Sequence, residues 1–459
     1  MVVRQKNYSQ QMAVLQDLIA QRDQQLATLH ASNSWRITAP LRWVRRLLQG
    51  RAQTKQATVQ TQAVENCGPE VSGSNSTLAL PPSASLCERL AILAKGQVRI
   101  AYFAENVNSS TYRYRAANMV AVLNAPNAEK DALNTSAACF FLDDLSLAVD
   151  LATSADILVI SRARYDLATA ALVQGFKAQG KKVWFDIDDW VFDVQAIDLI
   201  IQTSGQCATD EVMNYWHAVV SRMGTTLRLC DGAITTNSYL AQKIAEYVDV
   251  PVKVIANFAN EQQLAVSQLI YQHKLSQGMP SSQSIKLGYF SGSHSHSKDF
   301  ELIIPALSAA MRKNTWLELI LVGHLKLPID FEAQFESRIT RHEFTDFLSL
   351  QVLIGDVDFN LVPLLSNEFT NCKSELKYVD AAMVGTLSIA SPTYAYAATI
   401  QHGVNGFLAT EDQWELVIHE AIANRENYQR MVQAAYQDVQ HRFTWKTQRP
   451  AIIKALELS

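Results

Sequence analysis

The chain has 459 residues, of which 48% are hydrophobic and 18% charged, enough for two packed domains with appendages rather than one. A formal net charge of −4 argues against a nucleic-acid binder. Six cysteines (Cys67, Cys87, Cys139, Cys207, Cys230, Cys372) are scattered without a CxxC or other metal-ligand spacing, which suits buried thiols in a reducing cytoplasm.

The N-terminus, MVVRQKNYSQQ, lacks the pattern of a signal peptide, and no apolar run is long enough to span a bilayer. Residues 8–30 read as a helix whose seam of Met12, Leu15, Ile19, Arg22, Leu26 and Leu29 suits a short coiled coil or a docked helix. In SNSWRITAPLRWVRRLL (32–48), Arg36, Arg42, Arg45 and Arg46 stand beside Trp35 and Trp43. That composition suits an anionic membrane surface, and equally a basic helix packed on the protein itself. The expected location is cytoplasmic, either free or peripheral on the inner face of the membrane. Residues 51–85, rich in Gln, Thr, Ser, Asn and Ala, read as a linker.

From residue 96 the texture changes. VRIAYF (98–103), ILVIS (157–161), KVWFDI (182–187), GAITT (232–236) and VKVIA (252–256) are short apolar runs, as in a parallel sheet covered on both faces. Helical segments at 113–123, 166–179 and 238–247 lie between them. A second series follows: KLGYF (286–290), LELILVG (317–323), VDFNLVP (357–363) and TLSIAS (386–391), with helices at 298–313, 374–384 and 412–423. The fold class is therefore α/β, with two doubly wound Rossmann-like domains behind an N-terminal helical extension and a linker. The expected divisions are 1–50, 51–95, 96–256, 257–425, and a long terminal helix within 426–459 that crosses back.

Ligands of open parallel sheets bind beyond the carboxyl ends of the strands. There, the small residues Ser291, Gly292 and Ser293 permit a tight turn, with His294 a further donor-side candidate, before a helix near Lys298 whose N-terminus and ammonium would suit a diphosphate; an ordinary turn explains it equally well. Next, Lys373, Ser374, Glu375, Lys377 and Asp380 open a helix. The spacing predicts that Lys373, Lys377 and Asp380 share one side, where cations opposing the helix dipole make sense beside an anion. The plainer reading is a solvated face with a Lys–Asp pair. In VWFDIDDWVFD, Asp186, Asp188 and Asp189 crowd beside Trp190 and Phe192, which would raise their pKa values and suit proton handling or hydroxyl binding; helix capping is the alternative, and a metal site is not expected. Tyr112, Arg113 and Arg115 follow the first strand and are expected at the mouth of a cleft.

In IAYFAENVNSSTYRYRAANM, GKKVWFDIDDWVFD, DGAITTNSYLAQKI, VKVIANFAN, LGYFSGSHSHSKDFELIIPAL and KSELKYVDAAMVGTLSIAS, taken in this order, the chain resembles the retaining, GT-B-fold glycosyltransferases of group 1 (family four), especially those of bacterial polysaccharide synthesis. The resemblance covers residues 98–425. It implies a nucleotide-diphosphate sugar as donor substrate, no separate cofactor and no metal, with transfer to a hydroxyl of a glycan acceptor that is expected to be lipid-linked. Lys298 falls on the family's phosphate lysine, but Ser293 stands where an arginine is expected. Asp380 matches the second acid of the family's paired motif, which binds the donor ribose. Cys372 replaces the first acid, so backbone groups of Lys373–Glu375 would take over the sugar contact and Lys377 would complete charge neutralisation. The Asp186–Asp189 loop and the Tyr112–Arg115 segment would face the acceptor. A non-catalytic nucleotide-sugar-binding or scaffold subunit and a sugar-nucleotide epimerase or hydrolase of the same fold are the competing readings.

Overall fold

The computed structural model describes residues 84–107, 109–125, 134–277, 284–292 and 297–458. The N-terminal seam and the arginine–tryptophan segment lie outside the described residues, as do Ser293 and His294. No helix among the described residues is long and apolar enough to cross a membrane.

Twelve strands form two six-stranded parallel sheets. The first contains β1 (Val98–Ala104), β2 (Thr135–Phe140), β3 (Ile157–Ser161), β4 (Lys182–Asp186), β5 (Gly232–Thr235) and β6 (Val252–Val254), in the order β2-β1-β3-β4-β5-β6. The second contains β7 (Ile285–Ser291), β8 (Leu317–Gly323), β9 (Ile339–His342), β10 (Phe359–Val362), β11 (Leu387–Ala390) and β12 (Phe407–Leu408), in the order β12-β11-β10-β7-β8-β9. Every described pairing between these strands is parallel. The apolar runs form strands because both faces are covered. Ile100, Tyr102, Val159 and Trp184 pack on one face of the first sheet, Ala101, Phe103, Leu158 and Phe185 on the other, and each is almost completely buried.

Several helices differ from their predicted spans. The segment predicted at 113–123 is three pieces, Ser110–Tyr112, a five-residue π-helix Arg113–Ala117, and Asn118–Asn124. The segment 298–313 breaks into Ser297–Glu301 and Ile304–Lys313, where Pro305 sits in the first turn and cannot donate a backbone hydrogen bond. The terminal stretch is likewise two helices, Tyr428–Arg442 and Trp445–Ala455, separated at Thr444, whose hydroxyl accepts from the Thr447 amide. Ile452, Ala455 and Leu456 of the second helix join the core around β1 and β4, bringing the end of the chain back onto the first sheet. Two long helices, Asp210–Leu229 and Glu261–Gln277, escape the sequence reading; the second has no periodic apolar face, whereas the first has one that the reading did not use.

Candidate functional site

The carboxyl ends of both sheets carry polar loops that touch one another. On the first sheet, Asp186 ends β4 and is fully buried against Arg115 of the π-helix: Arg115 Nε donates to Asp186 Oδ1 at 2.7 Å and Nη2 to Oδ2 at 3.1 Å. Arg115 Nη1 also donates to the Ile255 carbonyl at 2.7 Å and to Asn257 Oδ1 at 3.2 Å. Burial pushes the Asp186 carboxyl up to about 6 while Arg115 opposes it, so the pair stays ionic at neutral pH. This corrects the sequence expectation in two places. Asp186 and Arg115 are an internal ion pair joining β4, the π-helix and the crossing between domains, not groups facing an acceptor. Tyr112 is also internal, 7% exposed and edge-on to Phe141 with centroids 5.9 Å apart.

The groups that do reach the loop surface are Asp188 and Asp189. Arg162 Nη1 donates to Asp188 Oδ1 at 2.9 Å and to Asp189 Oδ2 at 3.1 Å, and the Thr111 hydroxyl donates to Asp188 Oδ2 at 2.9 Å. The carboxylates are thus held by a shared guanidinium rather than left to repel each other. Arg162 has a backbone φ of 46°, a left-handed conformation that costs a non-glycine residue roughly 1–3 kcal/mol, and it is tied in place by its amide donating to the Asp186 carbonyl at 2.9 Å. Sequence reasoning missed Arg162 although it directly follows the predicted strand ILVIS, where the strand-end rule would have found it.

On the second sheet, Gly292 is exposed after β7. Lys298 sits on the short Ser297–Glu301 helix, its side chain 49% exposed; Nζ pairs with Glu301 Oε2 at 2.7 Å and its stem lies against Gly205 of the first domain. The following Asp299 is fully buried and accepts from the Leu365 amide at 3.1 Å.

Beyond β10, the segment Cys372–Glu375 leads into the Leu376–Met383 helix. Asn237, which caps the helix after β5, donates to the Cys372 carbonyl at 2.9 Å, and Asn257 donates to the Ser374 hydroxyl at 3.0 Å, so this segment is clamped by the first domain. Cys372 is fully buried among apolar side chains of the first domain's core, and burial drives its thiol pKa far up. It supplies no acid. Lys373 precedes the helix, with Nζ 4.8 Å from the Phe369 ring centroid and 3.9 Å from Asp189 Oδ1. Lys377 lies in the first turn, its ammonium 5.0 Å from the centroid of the Tyr289 ring. It forms no ion pair among the described residues. Loss of water pulls its pKa down to about 8, with Asp299 opposing the shift and Lys373 adding to it. Asp380 turns elsewhere: Oδ1 accepts from Gln263 Nε2 at 2.8 Å and from the Tyr114 hydroxyl at 3.3 Å. Burial raises its carboxyl to about 6 against the pull of Arg113. The guanidinium of Arg113 is stacked between Tyr114 and Phe347, 4.7 and 4.6 Å from the ring centroids.

The predicted single cluster is therefore divided. Lys377 and Asp380 share the helix but have different neighbours, Lys373 stands outside it, and Lys298 is paired with Glu301. The N-terminal turn of Leu376–Met383 keeps one unpaired ammonium beside backbone amides, an arrangement that can hold an anion. Among the described residues, no group of three or more His, Cys, Asp or Glu side chains is arranged to hold a metal ion.

Residues 285–424, which include this helix, match the family model described as "Glycosyl transferases group 1". No curated protein matches the chain in sequence. The fold is similar to that of the Anabaena protein HepE in complex with UDP, with a TM-score of 0.53 and 14% identity over 78% of this chain and 100% of that one. It is also similar to a glycosyltransferase from Rickettsia africae ESF-5 (TM-score 0.51, 12% identity, 79% of this chain and 98% of that one). A third likeness is to sucrose-phosphate synthase from Thermosynechococcus elongatus (TM-score 0.50, 14% identity, 78% and 98%). The two six-stranded parallel sheets thus have the GT-B architecture.

Proposed function

We propose that this protein is a glycosyltransferase that takes a sugar from a nucleotide-diphosphate donor and transfers it to a glycan hydroxyl. The observation that carries the reading is the unpaired ammonium of Lys377 in the first turn of the Leu376–Met383 helix, inside the segment that matches the group 1 model. A diphosphate there would gain both the helix N-terminus and a lysine whose charge is poorly satisfied in the free protein. The structurally similar HepE structure contains UDP, which supports a uridine nucleotide as the first donor to try.

In this reading the bond between the anomeric carbon and the diphosphate oxygen breaks, and a bond to the acceptor oxygen forms. The acceptor proton ends on the departing diphosphate. Lys377 and the helix amides stabilise the charge that develops on that leaving group. Asp188 and Asp189, fixed by Arg162, lie across from Lys373 and would accept hydrogen bonds from the acceptor's hydroxyls. Gly292, Ser293, His294 and Lys298, with Asp380 at the ribose, complete the donor side; Asp380 must exchange its Tyr114 contact for a ribose hydroxyl when donor enters. Retention of anomeric configuration, independence from metal, a lipid-linked acceptor, a role in cell-surface polysaccharide synthesis and a site of action at the inner membrane face belong to the same proposal.

The test is incubation of the full chain with a panel of nucleoside-diphosphate sugars and glycan acceptors, reading sugar transfer and nucleoside diphosphate release. Release that depends on acceptor supports the proposal. Donor binding without release across the panel refutes it in favour of a non-catalytic nucleotide-sugar-binding subunit, a reading favoured by the burial of Cys372 where the family has an acid.

A further inference from the structure

The Ile197–Ser204 helix of the first domain ends against the donor side of the second. Its last turn is closed by a glycine: the Gly205 amide donates to the Gln202 carbonyl and the Gln206 amide to the Ile201 carbonyl, both at 3.2 Å, with Gly205 at a φ of 67°. Trp216, on the next helix, donates from Nε1 to Gln206 Oε1 at 2.8 Å and holds the turn in place. Two segments of the second domain meet this one helix end. Asn367, which caps the Glu368–Asn371 helix just ahead of Cys372–Glu375, donates to the buried Thr203 hydroxyl at 3.3 Å. The stem of Lys298 lies on Gly205.

Gly205 does more than turn the chain. A Cβ at this position would stand 2.8 Å from Lys298 Cγ, 3.5 Å from Cε and 3.7 Å from Cδ, so the stem runs along the bare backbone. Gly180 supplies the comparison. It follows the Leu167–Lys177 helix at a φ of 69°, and a Cβ there would meet no atom within 4 Å. The left-handed backbone explains a glycine at both positions. Only at Gly205, of the two, must the side-chain position also stay empty, and what fills that space is Lys298.

Lys298 has use for such a seat. It sits on a five-residue helix, half-exposed, with its ammonium paired to Glu301 on the same helix at 2.7 Å. A lysine stem samples many rotamers in water, and ordering it against a ligand is costly unless packing has already done so. We infer that Gly205 is a positioning residue for Lys298: the first domain lays the stem along this glycine and so sets where the ammonium stands when a diphosphate draws it from Glu301. The inference deepens the glycosyltransferase reading and rests on Lys298 contacting the donor diphosphate. Its consequence is a coupling between the two sides of the site. The lysine belongs to the donor domain, but its seat belongs to the domain that carries Asp188 and Asp189, so a shift between the domains reaches the diphosphate through this side chain.

The experiment compares Gly205→Ala, Gly180→Ala, Lys298→Ala and Gly205→Ala/Lys298→Ala in the full chain, by isothermal titration of UDP and by thermal unfolding. Both glycine variants carry the same backbone strain and should lower Tm by similar amounts. Binding should separate them. Lys298→Ala is expected to raise the Kd for UDP at least about tenfold, Gly205→Ala about fivefold or more, and Gly180→Ala less than about twofold. The double variant should bind no more weakly than Lys298→Ala alone, because the glycine acts through the lysine. Isotope-labelled reductive methylation of the lysines gives a spectroscopic reading in the free protein: the Lys298 methyl resonance, assigned by its loss in Lys298→Ala, should shift in Gly205→Ala and stay in place in Gly180→Ala. Weakened UDP binding in Lys298→Ala with Gly205→Ala matching Gly180→Ala, additive losses in the double variant, or an unmoved Lys298 resonance in Gly205→Ala overturns this inference alone. UDP binding that Lys298→Ala leaves intact, or no UDP binding by the wild-type chain, removes Lys298 from the donor side and overturns the inference with it.

Discussion

Replacing Lys377 by Met keeps the aliphatic stem against Tyr289 and removes the ammonium. Burial holds this lysine's pKa down at about 8, below its unfolded value, so the charged form opposes folding below pH 8 and the cost fades as pH rises toward the unfolded value. Lys377→Met should therefore leave Tm unchanged or higher. Diphosphate binding should move the other way. A charge-assisted hydrogen bond to a phosphate oxygen is worth about 1.5–3 kcal/mol, so the variant's Kd for UDP should rise about 10- to 150-fold at pH 7. In the wild-type chain only about a tenth of the lysines remain protonated at pH 9, one unit above that pKa, and affinity should drop up to about tenfold between pH 7 and 9. The variant should show little of this slope. Isothermal titration of UDP at both pH values checks all three expectations. Equal Kd values for the two proteins, or equal pH slopes, would show that the diphosphate does not sit on Lys377.

Three further outcomes follow from the geometry. Arg115→Met leaves Asp186 as an unpaired carboxylate with no exposure to water, and should cost about 3–5 kcal/mol in denaturant unfolding, whereas the double variant Arg115→Met/Asp186→Leu should recover much of it. Gly323→Ala places a Cβ 2.0 Å from the Ser291 carbonyl oxygen at a φ of 86°, forcing apart the ends of β7 and β8; a loss of about 1–3 kcal/mol should appear as a lowered Tm. Arg162→Ala frees Asp188 and Asp189, and should raise the acceptor KM while leaving UDP affinity within about twofold, read by initial rates and titration together.

Much of the architecture was legible because parallel strands buried on both faces announce themselves as apolar runs, as in ILVIS and LELILVG. β2 and β9 were not. Thr135–Phe140 begins with two small polar residues, and Ile339–His342 is a largely exposed edge strand with charged and polar members. The site was legible in parts. Strand-end position drew attention to Lys377 and the Asp188–Asp189 pair, but could not tell that Asp186, two residues before Asp188, points inward to Arg115. That difference depends on the π-helix, which rotates Arg115 into the core and Arg113 toward Phe347, and no residue of TYRYRAANM signals the extra residue in that turn. Likewise, Lys373 was placed on the helix because spacing of three or four suggests a shared face, whereas the helix begins only at Leu376. A groove at Glu375 was invisible, since its walls come from five stretches between residues 236 and 448.

A crystal structure of the full chain with UDP tests the central assignment most directly. The account predicts that the diphosphate caps the Leu376–Met383 helix, with an oxygen about 3 Å from Lys377 Nζ, and that Asp380 has released Tyr114 for the ribose. Nucleotide bound elsewhere, or with Lys377 still turned onto Tyr289 and away from the phosphates, contradicts it.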